Sequence, residues 1–570
     1  MDTSRAPEKS RAVPLILAAV IFVLWMAPGL TNRDLWKADE PYSFGMIHHI
    51  LKTGDWVVPT LAGMPFMEKP PAFFLTAAGF ARLFSPWLEL HDGARLACAF
   101  YLLLTVLFVG LAAKELLGNN ALPITMIMLI GSTGLQVTSH KLITDNAMIA
   151  GLAMTMYGLT LCRRRPLLGG VLLGTGAGLG FMSKGLLAPG LVALTALALP
   201  AVFSEWRKKE YLRTLLASGI AVLPWAVIWP LALYLRDRGQ FIEWFWYQNL
   251  GRFLGYAYVG REFSLTYYFV NLPWFALPAF PIALWALWQL RSLKRIRPEM
   301  QVPLVMFLVM FIVLTLSSSI RNIYALPLLL PVILLAAIGM DSFPQKARRV
   351  MNVVSLWLFG ILACLLWFSW FASLKGSPAF IVDRLYRLQP DHVVVFNRNL
   401  FAIACAYSVL WIAMIAYSSR FAHAYLINWT AGTVLAWGLL MSIWLPWLDA
   451  GSGYRSLFES LRENIPYRCN FVITQGLGES ERALLEYYAG VKSMSVEGRG
   501  VWDCDYLLLQ DGSLQAAPPA GPEWQLVWQM KRPSEASNRP AKEIFTLLQR
   551  RGGKQLCQEA VKVPSYRLYN

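Results

Sequence analysis

Long apolar runs separated by short polar segments fill the chain between residues 14 and 447. A helix needs about 20 predominantly apolar residues to cross the hydrocarbon core of a bilayer. Because the runs reach or approach that length, the pattern predicts thirteen transmembrane helices. They lie at about 14–30, 96–113, 120–137, 147–162, 166–182, 186–203, 214–235, 267–289, 302–319, 324–340, 351–373, 399–418 and 425–447.

One further stretch, residues 70–87, is ambiguous, and the basic residues decide how it is placed. Short basic loops face the cytoplasm in multispanning proteins. If 70–87 does not span, the N-terminus and the four most basic short loops share the cytoplasmic side; if it spans, all four loops lie outside. We therefore predict an amphipathic juxtamembrane segment. The odd helix count then places the C-terminus outside. The four loops are 163–165, 207–213, 291–297 and 346–349.

The basic segment 1–12 and the apolar run after it also fit a cleaved signal peptide. No small-x-small cleavage site follows, so we expect a retained first helix.

The last part of the chain, about 450–570, reads as a small soluble α/β domain, set off from a membrane domain at 1–449. Residues 471–474 and 506–510 are typical of strands, and 479–488 and 541–551 are typical of helices. This tail holds three cysteines, and outside the cytoplasm we expect one pair to form a disulfide. They are Cys469, Cys504 and Cys557.

Composition supports the membrane assignment. Of the 570 residues 56% are hydrophobic and 15% are charged, against about 25% charged in soluble domains. The net charge of +17 lies largely in loops between apolar runs, where basic residues meet anionic lipid headgroups. We therefore expect membrane lipid, and no nucleic acid, as a partner.

Several acidic residues lie in predicted outer-face segments, above all in the long loop 31–95. Asp39 and Glu40 follow the first span closely, and Asp145 lies in the short turn 140–146. Acids at a helix N-terminus have a purely structural explanation. However, ionisable groups at the lipid boundary are costly unless they are paired or functional, so these three are candidate catalytic residues.

Cationic residues are predicted on the same face. Each alone fits a membrane anchor, but together, beside carboxylates, they are typical of phosphate recognition. The candidates for phosphate binding are Lys69, Lys184, Arg252 and Arg321, with Tyr324 beside the last.

Other motifs have simpler explanations. The glycine-rich 174–180 lies inside an apolar run, where small residues let helices pack closely. The glycosylation-like 428–430 also lies inside a span. His48, His49 and Glu68 form an alternative metal set, but adjacent histidines do not face one way on a helix. We expect no required cofactor and keep a non-essential divalent metal as an alternative.

Four segments resemble one family in the same order: LWKADEPYSFGMIHHILKTGDWVVPTLAGMPFMEKPPAFF (35–74), LITDNAMIA (142–150), GFMSKG (180–185) and RNIYALPLLLP (321–331). They resemble bacterial aminoarabinose transferases, within the protein-mannosyltransferase-like group of polyprenyl-phosphate-dependent glycosyltransferases of the GT-C fold. The resemblance covers roughly 14–340. It departs at Arg321-Asn322, where the family often has Lys-Arg, and in 236–266, which lacks a His-rich stretch.

The resemblance implies an enzyme of the bacterial inner membrane that moves 4-amino-4-deoxy-L-arabinose from undecaprenyl phosphate to a lipid A phosphate on the periplasmic face, giving polymyxin resistance. From the predicted co-location of acids and cations on one face, we hypothesise that Asp39 is a base or an orienting group, with Glu40 and Asp145 in support. Because of the two departures, a protein Ser/Thr or another glycolipid stays open as the acceptor. A lipid transporter and a sensor or scaffold are the alternatives from other classes.

Overall fold

The protein is described here by a computed structural model. The described residues are 12–37, 39–251, 266–290, 296–317, 320–389, 392–467, 469–495, 504–511, 523–532 and 544–553.

Helices make up nearly all of the structure before residue 465. In the first half they are α1 Leu15–Met26, α2 Asp39–Thr53, α3 Ala72–Phe84, α4 Leu90–Leu117, α5 Ala121–Ile130, α6 Thr133–Thr138, α7 Asp145–Leu161, α8 Pro166–Lys184, α9 Leu187–Val202, α10 Lys209–Arg236 and α11 Arg238–Ile242, followed by a π-helical segment Glu243–Gly251. In the second half they are α12 Tyr267–Phe275, α13 Ala279–Gln289, α14 Pro298–Thr315, α15 Leu326–Gly339, α16 Gln345–Lys375, α17 Ala379–Leu388, α18 Arg398–Ser418, α19 Ala424–Leu440, α20 Leu445–Ser452 and α21 Arg455–Glu463. Short 3-10 turns occur at Ser204–Trp206 and Asn322–Ala325.

The predicted apolar runs coincide with helices, but the count of thirteen spans is not confirmed. Within the described residues, seven helices are long and apolar enough to cross a membrane. The number rises to nine if two bent pairs, α12 with α13 and α19 with α20, each count as one span. Several runs form shorter helices, such as α5 with 10 residues. The architecture is therefore that of a multispanning helical membrane protein.

The stretch 70–87 forms α3, which has 13 residues. At 1.5 Å per residue this helix is about 20 Å long, short of the hydrocarbon core. One face, with Phe73, Phe74 and Ala77, is buried, and α3 packs against α4. Both properties agree with a juxtamembrane segment.

Glycines allow α7 and α8 to pack closely. A Cβ added to Gly151 on α7 would lie 2.5 Å from the carbonyl oxygen of Gly176 on α8 and 2.9 Å from the amide nitrogen of Gly180. The glycine-rich segment 174–180 is thus part of a helix–helix contact, as the sequence predicts.

The tail folds around a five-stranded sheet in the order β4-β3-β5-β7-β6. The strands are β3 Phe471–Gln475, β4 Lys492–Ser495, β5 Tyr506–Asp511, β6 Trp524–Lys531 and β7 Ile544–Arg550, and a helix α22 Glu479–Leu484 with a π-helical turn Leu485–Ala489 follows β3. A small hairpin of β1 Thr60–Leu61 and β2 Met64–Pro65 lies in the first outer loop. The predicted strands and the predicted helix at 479–488 are confirmed.

The predicted helix at 541–551 is wrong, because residues 544–550 form strand β7. Leucine, glutamine and arginine favour helices weakly, but β7 pairs with β5 on one side and β6 on the other. That position also buries Phe545, Leu547 and Leu548 completely or nearly so. Tertiary pairing therefore overrides the local preference.

The cysteines of the tail behave partly as expected. Cys469 is disulfide-bonded, whereas Cys504 is a buried free thiol. Cys557 lies outside the described residues.

We predict that Gly151→Val destabilises the bundle, because the new side chain would overlap the α8 backbone. Overpacking of this kind costs about 1–3 kcal/mol, which thermal unfolding of the detergent-solubilised protein would show as a lower midpoint. Gly219→Val on α10 is the matched control, since a Cβ there has no atom within 4 Å. Equal shifts in the two variants would contradict the close packing of α7 on α8.

Candidate active site

A fully buried carboxylate lies at the base of the site. Glu40, in the first turn of α2, has 0% exposure and lies between two buried arginines. The Arg33 guanidinium donates to both carboxylate oxygens, at 2.6 Å and 2.8 Å. Arg95 Nε, from α4, donates to Oε1 at 3.1 Å. The backbone N–H groups of Trp36 and Leu142 complete the shell, at 2.9 Å and 3.2 Å.

These partners keep Glu40 ionised. Burial alone would raise the pKa of Glu40, but the charges of Arg33 and Arg95 and the hydrogen bonds outweigh it and hold the pKa below its usual range. The stability that this carboxylate contributes is therefore present above the ordinary carboxyl pKa and is lost only when pH falls through the lowered value. The oxygens of Glu40 are occupied and its side chain has no exposed surface, so it holds the start of α2 and is not accessible to a ligand in this structure.

Asp39 precedes Glu40 and is the accessible member of the pair. Its side chain is 35% exposed, and Arg321 Nη2 donates to its Oδ1 at 3.2 Å. Burial would lower the pKa of Arg321, but Asp39 and the Tyr324 hydroxyl together raise it. Arg321 thus links α2 to the turn before α15. Its guanidinium group stays charged and is partly exposed.

A second ion pair follows from the antiparallel packing of α7 and α8. Asp145 is the first residue of α7 and Lys184 the last residue of α8, so each charge also suits its helix end. Lys184 Nζ forms an ion pair with Asp145 Oδ1 and lies 4.6 Å from the centroid of the Tyr324 ring. Tyr324 therefore contacts both cations of the site.

Helix α8 ends at Lys184, and Gly185 turns the backbone out of the helix. Gly185 has a φ of +70°, a conformation that side-chain-bearing residues rarely adopt. Asn249 Oδ1 accepts a hydrogen bond from the N–H of Leu186 at 3.1 Å. The end of α8 is thus fixed by the loop that contains the π-helical segment.

The contacts form one continuous row, Asp39–Arg321–Tyr324–Lys184–Asp145, which we call the acid–cation row. Two carboxylates lie at its ends, with two cations and a phenol between them. Arg, Lys and Tyr donors are suited to bind the oxygens of a phosphate group, and the Asp39 carboxylate beside them can accept a proton or hold a cationic group. The acid–cation row therefore brings carboxylates and cationic side chains together in one site.

Lys69 lies in the first outer loop, shortly before α3. It pairs with Glu68 at 3.9 Å. The pKa of Tyr42 on α2 is raised mainly by burial. The nearby carboxylates of Glu479 and Glu481 in the tail, and of Glu68, raise it further. Arg252 lies outside the described residues.

The alternative metal set is not assembled. His48 stacks on Phe44 and meets Tyr487 edge to face, at ring distances of 6.1 Å and 5.4 Å. Burial lowers the pKa of His48 and of His49. No group of three or more His, Cys, Asp or Glu side chains suited to a metal occurs in the described part of the chain.

Sequence reasoning missed the residues that support Glu40 and the loop before it. Asp34 accepts hydrogen bonds from the backbone N–H groups of Tyr454 and Arg455, at 2.8 Å and 3.0 Å, and from the Tyr488 hydroxyl. Asp449 in turn accepts from the Asp34 N–H at 2.9 Å and from Trp36 Nε1 at 2.7 Å. The signal that could have found Arg33, Asp34 and Arg95 is their position at the ends of apolar spans, where unpaired charge is costly.

Comparison with known proteins agrees with this fold. The family model described as dolichyl-phosphate-mannose-protein mannosyltransferase matches residues 68–234. The undecaprenyl phosphate-alpha-4-amino-4-deoxy-L-arabinose arabinosyl transferase of Pseudomonas paraeruginosa (strain DSM 24068 / PA7) is 30% identical over 360 residues, which is 59% of this chain and 62% of that protein. Transferase 1 of the same description from Pseudomonas fluorescens (strain Pf0-1) is 28% identical over 422 residues, 70% of this chain and 68% of that one. The first of these matches thus spans less than two thirds of the relative's length.

The fold is also similar to a solved structure. The crystal structure of ArnT from Cupriavidus metallidurans bound to undecaprenyl phosphate superposes with a TM-score of 0.67 and 16% identity, covering 94% of this chain and 97% of that one. The apo structure of the same protein gives a TM-score of 0.68. The fold of this chain is therefore that of the solved ArnT structures, a multispanning helical membrane fold. In sequence the chain is similar to the arabinosyl transferases named above over 59% to 70% of its length.

We predict that Glu40→Gln lowers the free energy of unfolding by about 3–5 kcal/mol, because removing one partner leaves buried arginine charge uncompensated. Chemical unfolding in detergent would measure it. Glu486→Gln is the matched control, since its ion pair with Lys52 at 2.9 Å is partly exposed and such pairs are worth about 0–1 kcal/mol. Similar losses in both variants would show that Glu40 is not the structural centre of the site.

Proposed function

We propose that this chain is a glycosyltransferase that moves 4-amino-4-deoxy-L-arabinose from undecaprenyl phosphate to a phosphate group of lipid A. The observation that carries the proposal is the acid–cation row in a GT-C fold. A donor of this kind requires cations for its phosphate and a carboxylate near the sugar, and the row has both. The names of the relatives support the choice of sugar and carrier.

The chemical step is a single displacement at the anomeric carbon. An acceptor phosphate oxygen forms a bond to that carbon while the bond to the carrier phosphate breaks, and the leaving phosphate keeps the electron pair. The sugar configuration is therefore inverted. As negative charge grows on the leaving phosphate, donors already held in place stabilise it without reorganisation.

The residues divide between these tasks. Arg321, Lys184 and the Tyr324 hydroxyl bind the carrier phosphate, with Lys69 and Arg252 completing the set. Asp39 orients the acceptor or the amine of the sugar, or takes a proton if the acceptor is a hydroxyl. Asp145 and Glu40 fix Lys184 and Asp39 respectively. A phosphate monoester is already nucleophilic, so for lipid A the charge and position of Asp39 matter more than its basicity.

The proposal includes a placement in the membrane. The chain crosses the bacterial inner membrane thirteen times, with a cytoplasmic N-terminus. The acid–cation row and the tail 450–570 face the periplasm, and the row belongs to the membrane domain 1–449. The reaction requires no metal, and a non-essential divalent metal stays open as an alternative. The charges of the loops support this arrangement, as do the contacts that Lys37, before α2, and Lys52, on α2, make with the tail.

We predict that Asp39→Ala lowers sugar transfer by at least about 100-fold, the scale expected for loss of a positioned acid or base. Mass spectrometry of lipid A from a transferase-deleted host that expresses the chain would measure it, as a gain of one aminopentose per phosphate. Asp383→Ala, an exposed aspartate on α17, is the matched control and should keep full transfer.

Two outcomes would change the proposal. Full transfer by Asp39→Ala would remove its central role. An unmodified lipid A with the wild-type chain would reject the aminoarabinose assignment and direct the search to protein and glycolipid acceptors, or to a transporter if no covalent product forms in detergent.

We further predict that Lys184→Met and Arg321→Met each weaken the binding of undecaprenyl phosphate by about tenfold or more, since a hydrogen bond to a charged group is worth about 1.5–3 kcal/mol. Native mass spectrometry of the purified protein with added undecaprenyl phosphate would measure the affinity. Lys52→Met, at the far end of α2, is the control. Unchanged affinity in both site variants would place the phosphate elsewhere.

A further inference from the structure

The connection between α16 and α18 joins two helices that are long and apolar enough to cross a membrane. The apolar part of α16 ends at Lys375, and α18 begins at Arg398. Basic residues at both ends of neighbouring spans mark the level of the lipid headgroups. The segment between them, residues 376–397, contains α17 and is called here the interfacial segment.

This segment is on the same side of the bundle as the acid–cation row. Gln389, at the end of α17, is buried beside Gly451. Gly451 belongs to α20, and Asp449 of the same helix accepts hydrogen bonds from Asp34 and Trp36. The interfacial segment therefore faces the leaflet on which the site opens.

One face of α17 packs on the bundle and the other is uncovered. Leu385 packs against the cluster that contains Trp370 and Trp444. On the opposite face Phe380 is 71% exposed, and the exposed Arg384 and Arg387 follow it about one and two turns further along the helix. An aromatic ring with arginines on the same helix face suits the boundary between acyl chains and headgroups.

The residues after α17 continue the uncovered apolar surface. Val393, Val395 and Phe396 are 79%, 74% and 54% exposed. The surface runs on into the exposed apolar faces of α16 and α18, where Phe371 and Ile403 are among the exposed side chains. Those two helices are long enough to span and are largely unburied, so lipid covers them. The interfacial segment extends the same lipid-covered surface outwards.

The charge of this region favours an anionic partner. Residues 375–398 contain four basic side chains, Lys375, Arg384, Arg387 and Arg398, against two acidic ones, Asp383 and Asp391. Arg384 and Arg387 are exposed and form no ion pair within the described ranges. Exposed guanidinium groups of this kind suit the oxygens of a phosphate group.

We propose that the interfacial segment is a binding surface for anionic phospholipids of the leaflet at the site's face. Phe380 and the exposed valines enter the acyl boundary, while Arg384 and Arg387 hold the headgroup phosphates. This binding does not depend on the proposed sugar transfer, because no residue of the acid–cation row takes part in it.

The test uses the full chain with p-benzoylphenylalanine in place of Phe380, in vesicles of equal phosphatidylglycerol and phosphatidylcholine. After irradiation, mass spectrometry identifies the adducts. We expect lipid adducts with phosphatidylglycerol about fivefold over phosphatidylcholine, the enrichment expected for one basic residue near an anionic surface. The same reporter at Tyr467, an 89% exposed tail residue, is the control for a side chain in water.

The arginines are tested by combining the Phe380 reporter with Arg384→Gln and Arg387→Gln. We expect the lipid ratio to fall towards one, whereas Lys531→Gln with Arg551→Gln, which removes the same charge from exposed tail positions, leaves it unchanged. Three results would overturn the proposal: no more lipid adduct at 380 than at 467, adducts chiefly to a second protein chain, or a lipid ratio near one in the unsubstituted segment.

Discussion

The architecture of the site depends on the buried carboxylate of Glu40 and the two arginines that enclose it. Arg33 comes from the loop after α1 and Arg95 from the start of α4, so one side chain joins three separate elements. A carboxylate without those charges would be strongly destabilising in this position, and so would either arginine without the carboxylate. The start of α2 is thereby fixed, and the orientation of Asp39 towards Arg321 follows from it.

The second half of the row has a different origin. Asp145 and Lys184 meet because α7 and α8 are antiparallel and closely packed, and Gly151 and Gly176 permit that approach. Helix packing thus sets the position of one ion pair, and a buried charge cluster sets the position of the other. Tyr324 lies between the two and connects them.

Much of this arrangement could be predicted from the sequence. Apolar runs located the helices, and charges at the edges of those runs indicated Asp39, Asp145, Lys184 and Arg321. The exact span count did not follow, since short and bent helices such as α5 and α13 carry apolar runs without the length of a full span. Run length alone does not describe a helix that bends inside a bundle.

The network below the site was harder to predict for a physical reason. Glu40 and Arg95 are 55 positions apart in sequence, and no local pattern pairs them. The strand β7 was missed in a similar way, because neighbouring strands rather than the residues of 544–550 themselves decide its conformation. The local sequence therefore predicts the membrane helices well. It predicts less where residues distant in sequence, such as paired strands or buried ion pairs, determine the structure.

The contacts of Asp34 determine the order in which parts of the protein fold during synthesis. Its carboxylate and N–H bind groups at positions 449, 454, 455 and 488, more than 400 residues later in the chain. A loop translated near the beginning therefore reaches its final position only after nearly the whole chain has left the ribosome. Such long-range closure is slow compared with local helix formation, so the helices form first and the first outer loop is completed last.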